Sequence, residues 1–384
     1  MAQQALQRAA DATRPATVRF RWPLIGSLTL LALIGAFGNA WDLYWHIMVG
    51  RDSFWIPPHT MMYTAVAIGG LTAAAIVLAH TFGSASGEGV TRFLFVRAPL
   101  GYIVLGLGAL QMVVSAPFDD WYHRRFGLDV TVWSPPHLIG FSGAAVMLAG
   151  LTIAATSERL RLAALPAKEE RRFFWLLALL FALVVRWVTF LNSTTLSLSW
   201  VLERDSYAIA GPWAPWWGLW TGLFLGWTFV ASVCCLPGAR AWRLPLAVLG
   251  IALLLRLLEY LVSALGFALV LPWGSQTMDE PFRILFDYDL GLWIMTVVLV
   301  LPVGVIAALS RLRPRWPAAR FGLVAGASFG LLLAGQFLAL RPVFDLAPLG
   351  TSRQIEVVVV TLVAGIAGGL IGAFQGDWLA RFRR

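Results

Sequence analysis

Residues 23–59 read PLIGSLTLLALIGAFGNAWDLYWHIMVGRDSFWIPPH. Residues 23–41 carry no charged side chain. Wound as a helix rising about 1.5 Å per residue, such a run crosses a hydrocarbon core of about 30 Å. Asp42 and His46 close it, and Pro57-Pro58 stops the first helix and pre-sets the start of another. A second apolar run follows at once. The stretch therefore predicts a membrane span, a short polar connection and a second span.

The same grammar continues along the chain. Apolar runs long enough to span a bilayer begin near residues 23, 60, 94, 137, 173, 213, 244, 288, 320 and 355. This predicts an all-α, polytopic membrane bundle of about ten transmembrane helices. Composition agrees: 59% hydrophobic residues, 13% charged and a mean hydropathy of +0.75 are far outside the range of a soluble domain. The expected organisation is an N-terminal segment at 1–22, a four-helix unit at 23–156, a linker at 157–172 and a six-helix region at 173–384.

Basic residues set the expected orientation. Arg8, Arg14, Arg19 and Arg21 precede the first span, and Arg159, Arg161, Lys168, Arg171 and Arg172 fall between the fourth and fifth. Later even-to-odd connections hold Arg240, Arg243, Arg311, Arg313, Arg315 and Arg320, and Arg381, Arg383 and Arg384 close the chain. The positive-inside rule then puts both termini in the cytoplasm of a prokaryotic plasma (inner) membrane. The first span is expected to stay uncleaved, although a basic region ahead of an apolar run imitates a signal peptide. The net charge of +9 follows from this topology, so nucleic acid is not an expected partner.

The polar motif of the opening stretch occurs twice. Asp42, His46, Gly50 and Asp52 return as Asp119, His123, Gly127 and Asp129, an offset of 77 residues. Trp55, Pro57, Pro58 and His59 return as Trp133, Pro135, Pro136 and His137, an offset of 78. Four of the chain's five histidines belong to this repeat. Asp and His four apart share one helix face, and the second His lies in the first turn of the next helix. There the macrodipole disfavours imidazolium and leaves a neutral nitrogen able to bind an ion. A lone Asp-x-x-x-His in a membrane helix is ordinarily a satisfied polar pair. Two copies, each with the same His-bearing Pro-Pro turn, favour two-His, one-carboxylate metal stations with open positions. Asp52 and Asp129 are candidates to accept the remaining ring N–H. The donor set by itself suits copper, non-haem iron or zinc.

These motifs resemble those of the metal-bearing membrane subunit of the copper membrane monooxygenases, the particulate methane and ammonia monooxygenases. That family has an Asp-x3-His-x12-His station in a context similar to Asp42, Trp45-His46, Arg51-Asp52, Pro57 and His59. Its second station is similar in spacing to Asp119, His123 and His137 but begins with Asn, so this chain carries an added charge there. The resemblance covers roughly residues 20–156. It implies copper as the cofactor, a supporting role for Arg51 beside Asp52, and dioxygen activation for a small membrane-soluble substrate. It also implies assembly into a homo- or hetero-oligomeric membrane complex; the orientation set by the basic residues puts the motifs towards the outer face. Two other function classes stay open: a non-catalytic metal-handling or structural subunit, and a metal transporter.

The second half says less. Arg186, Arg256 and Glu259 interrupt apolar runs, where a lone charge is expensive. Arg256 and Glu259 can pair within one helix, while Arg186 needs a partner from elsewhere. The alternative for this cluster is a proton path. Trp213, Trp216, Trp217 and Trp220 are expected in an interfacial belt, and Gly365 and Gly369 in a close helix seam. Cys234 and Cys235 are expected as buried packing residues. Met48, Met61 and Met62 are near enough in sequence to add thioether ligands but fit packing better. Arg204-Asp205-Ser206-Tyr207 echoes Arg51-Asp52-Ser53-Phe54 and could be a degenerate third copy without histidine. Phosphate-binding glycine loops and nucleophile elbows are missing from the sequence, which excludes the corresponding enzyme classes.

Overall fold

A computed structural model describes residues 20–49, 53–83, 90–127, 134–162, 165–202, 214–236, 238, 241–270, 296–341 and 349–382. Ten helices account for nearly all of them. They are α1 (Trp22–Met48), α2 (Pro57–Phe82), α3 (Leu100–Phe126), α4 (Pro135–Leu160), α5 (Ala167–Leu202), α6 (from Ala214 to Cys235), α7 (Arg243–Val270), α8 (Val300–Leu309), α9 (Ala318–Leu340) and α10 (Thr351–Arg381). A hairpin of β1 (Val90–Phe93) and β2 (Val96–Pro99) joins α2 to α3. Among the described residues nine helices are long and apolar enough to cross a membrane. The protein is a polytopic helical membrane bundle.

Two sequence expectations shift. The run expected to begin a span near 94 is first a hairpin, and α3 starts only at Leu100, after Pro99. The span expected near 288 begins in residues outside the description, and its described part is α8.

The α1–α2 and α3–α4 pairs are built alike. α2 and α4 each start on a Pro-Pro pair, so the polar ends of α1, α2, α3 and α4 all lie at one end of the bundle. The two copies also exchange bulk at matching positions. In the first pair Gly38 lies against Met62, and in the second Gly140 lies against Ser115. One turn deeper, Gly35 meets Ala65, whereas Gly143 meets Met112. The glycines lie on α1 in the first crossing and on α4 in the second. This preserves close approach without preserving sequence.

The other half packs around α10. Gly322 and Gly326 of α9 face Gly365 and Gly369 of α10, and a Cβ added at Gly365 would come 2.5 Å from the Gly326 carbonyl oxygen. Gly368, Gly372 and Gly376 present a second small face to α6. α6 carries a π turn at Thr221–Leu225, where Gly222 lies against Thr361 and Ala364 of α10. Trp217 is not in an interfacial belt: it is 5% exposed and stacks on Phe337 at 4.2 Å. Flat stacking on a bundle aromatic offers this ring more contact than an interface would. Trp220 stacks on Phe224, and the side chains of Trp213 and Trp216 lie outside the description. Cys234 and Cys235 are free and buried.

Candidate metal centre

The last two turns of α1 project Asp42 and His46, and the first turn of α2 brings His59 back towards them. His59 Nε2 lies 3.1 Å from Asp42 Oδ1, and His46 Nε2 lies 3.8 Å from Asp42 Oδ2. In the second copy His137 Nε2 and His123 Nε2 lie 3.3 and 3.7 Å from Asp119 Oδ1. Within each triad one donor atom per residue can be chosen so that all lie within 4.8 Å of one another.

These separations can be compared with an ion's needs. Bonds of about 2.0–2.1 Å in tetrahedral geometry put donors about 3.3 Å apart. The Asp–His separations of 3.1–3.8 Å lie near that value, and all donors of each triad lie within 4.8 Å, so an ion would draw the three side chains closer together. Two imidazoles and one carboxylate leave further positions for water or another ligand.

The triads differ in their surroundings. His59 is buried while His46 is the more open histidine of the first, and nearby Trp41, Tyr44, Trp45, Val49 and Ile56 form an apolar cluster with Phe190, Leu191 and Phe267. Trp45 stacks on Phe267 at 6.0 Å, and the Trp41 ring presses on Gly266. On the helix of the second, Phe118, Trp121, Tyr122 and Phe126 form an aromatic cluster among themselves, of which Trp121 and Phe126 are exposed. The two stations are neighbours. His137 is close enough to act electrostatically on Asp42. Phe141, in ring contact with His137, touches Phe190 and packs on the apolar cluster of the first station.

Two aromatics escaped the sequence reading although the repeat contained them. Tyr63 lies one turn after His59, with ring centroids 5.6 Å apart, and Phe141 lies one turn after His137 at 6.1 Å. They are 78 residues apart, the offset of the histidines they shield.

Of the candidate supporting residues, Arg51, Asp52 and Asp129 lie outside the described residues, as does the 203–213 segment expected as a third copy. Met61 packs on the apolar cluster and Met62 fills the space over Gly38, so both act in packing. The Met48 side chain is outside the description. His80, the fifth histidine, stands at the far end of α2, where its Nδ1 lies 2.8 Å from the Ile76 carbonyl oxygen.

About a turn deeper than Asp42, a charged cluster ties α1, α5 and α7 together. Arg186 Nε donates to Glu259 Oε1, Arg186 Nη1 donates to Asn39 Oδ1 at 2.9 Å, and Arg186 Nη2 donates to the Ala36 carbonyl at 3.0 Å. Arg256 donates to Glu259 Oε2 at 3.0 Å, to Thr189 Oγ1 at 2.8 Å and to the Arg186 carbonyl at 3.1 Å. The partner that Arg186 requires is thus the same carboxylate that pairs with Arg256. Glu259 is 2% exposed, and this network holds the helix that carries Asp42 and His46. Its contacts are those of a helix tie.

No known protein family, curated protein or solved structure matches this chain.

Proposed function

We propose that the protein is a copper-binding membrane protein, the metal-bearing subunit of an oxidoreductase that activates dioxygen towards a small membrane-soluble substrate. Support comes above all from one observation: an Asp-His-His set converges twice, with its donor atoms within 4.8 Å of one another, at one end of the bundle. Asp42, His46 and His59 would hold one ion, and Asp119, His123 and His137 another. Bound copper would supply one-electron redox chemistry at open positions. The chain's own part is to fix the donors and exclude water. The Trp41, Trp45 and Phe267 cluster would fix the end of α1 that carries Asp42 and His46, and Tyr63 and Phe141 restrict the imidazoles.

Geometry also suits a substrate arriving through lipid. From Trp22, about 30 Å of helix rise brings Asp42 to the boundary of a hydrocarbon core. Exposed Trp121 and Phe126 near the end of α3 suit contact with lipid beside the second station. In the proposed orientation both termini are cytoplasmic and the stations face the outside of a prokaryotic plasma membrane, with partner subunits completing the enzyme.

Elemental analysis of the full chain purified from native membranes tests this. Wild type should carry copper at both stations, His46→Ala and His123→Ala should each lose one ion, and His80→Ala should lose none. Equal metal content in all four proteins would overturn the site assignment. Copper without quinol-dependent oxygen consumption in the intact complex would reassign the protein to metal handling. Iron or zinc in place of copper would reject the cofactor.

A further inference from the structure

We propose that the Val90–Pro99 hairpin is a binding site for the headgroup of an anionic phospholipid, with paired Arg92 and Arg97 holding the phosphate while Leu94 and Phe95 enter the acyl boundary.

Three independent features of the hairpin converge on this. The first is charge. Register pairs Arg92 directly with Arg97 across the two strands. Directly opposed residues project to the same face, and like charges so placed repel. Both arginines are exposed, and among the described residues neither makes an ion pair. An anion between the two guanidiniums relieves the repulsion, and a phosphate matches their planar donor forks.

The second feature is the tip. Leu94 and Phe95 are 72% and 84% exposed, and Phe82, at the end of the adjoining helix α2, is 82% exposed. Leu94 has φ of +51°, the only positive value for a non-glycine residue among those described. Glycine, asparagine or aspartate is the ordinary choice at such a turn position. A leucine kept there against backbone preference, next to an exposed phenylalanine, points to a use for the apolar tip.

The third is rigidity and position. Thr81 Oγ1, on the last turn of α2, accepts from the Arg97 N–H at 3.0 Å and donates to the Arg97 carbonyl at 3.2 Å. Ala98, on the face opposite the arginines, is fully buried, so the base of that face lies against the protein. The hairpin is therefore fixed between the ends of two membrane spans, at headgroup level, with its charged face outward. An apolar aromatic tip beside basic residues is the chemistry of an interfacial anchor.

The test uses the full-length protein in micelles doped with equal phosphatidylglycerol and phosphatidylcholine, read by native mass spectrometry. Wild type should retain phosphatidylglycerol preferentially. Arg92→Gln/Arg97→Gln should lose that preference at least fivefold, while Arg171→Gln/Arg172→Gln keeps it. Excess inorganic phosphate should not displace the lipid, because the tip contributes apolar contact that free phosphate cannot replace. A Leu94→Gly variant separates binding from folding: its melting temperature should hold or rise as lipid retention falls. A spin label at Phe95→Cys in bilayers should be accessible to oxygen and shielded from a water-soluble nickel chelate. Unchanged lipid preference in the double arginine variant, displacement by phosphate, or a tip label fully open to the chelate would each overturn the proposal.

Discussion

Replacing Glu259 with glutamine would leave two arginines buried together in the membrane with no carboxylate between them. Each oxygen of Glu259 accepts from one guanidinium, Oε1 from Arg186 and Oε2 from Arg256 at 3.0 Å. Hydrogen bonds to charged groups contribute about 1.5–3 kcal/mol each, and breaking a buried ion pair typically costs about 3–5 kcal/mol. Glutamine keeps one acceptor oxygen, so the expected loss is about 3 kcal/mol. The competing expectation is much smaller. Neutral interhelical hydrogen bonds in membranes average about 0.6 kcal/mol, since a membrane-embedded unfolded state finds substitute partners. A denaturing-detergent titration of Glu259→Gln in mixed micelles separates the two. The exposed Arg353–Glu356 pair supplies a control, for which Glu356→Gln should cost under about 1 kcal/mol. The triple variant Arg186→Met/Glu259→Leu/Arg256→Met, which removes every charge, should be more stable than Glu259→Gln alone. A loss near 0.6 kcal/mol for Glu259→Gln would refute the reasoning and make the cluster ordinary packing.

Three further outcomes are expected. Asp42→Asn and Asp119→Asn should each keep a weakened station, losing divalent metal more than monovalent copper, because an anionic donor favours the higher charge; titrated stoichiometry and reduction potential check this, and unchanged values in both would remove the carboxylates from the donor sets. Gly365→Val should cost more than about 3 kcal/mol or prevent assembly, since its first added carbon already meets the Gly326 carbonyl, whereas Gly304→Val, with open space around it, should be tolerated in the same titration. Cysteine introduced at Gly127 and at Ser157 should react with a membrane-impermeant reagent from opposite sides, and labelling of both from one side would reject the proposed orientation.

How much of this was legible beforehand varies with the kind of signal. Span positions were, because crossing a membrane demands a length and a hydropathy that few other structures satisfy. The Asp-His-His convergence was too, because i,i+4 spacing and a Pro-Pro helix start are local rules. The hairpin was not: Phe93, Leu94 and Phe95 read as the start of a span, and nothing local distinguishes three apolar residues at a tip from three in a helix. Arg186's bond to Glu259 spans 73 positions and is set by how α5 meets α7. The buried Trp217 was missed for a related reason, since an aromatic belt and a helix interface have the same composition. The exchange of the glycine from α1 at Gly38/Met62 to α4 at Ser115/Gly140 was present in the sequence but meaningful only once the crossings were known.

The hairpin between α2 and α3 has one more consequence. It lets the chain leave the first pair of helices and begin the second from the same side, so each copy of the motif contains an even number of crossings. Duplicating a unit of even parity cannot invert it. The second station was bound to emerge on the same side of the membrane as the first, whatever its later substitutions. Had the duplicated piece held three helices, the stations would stand on opposite surfaces, with a bilayer between Asp42 and His137. The count of crossings thus puts both triads at one surface, and the packing of α4 against α1 brings them together.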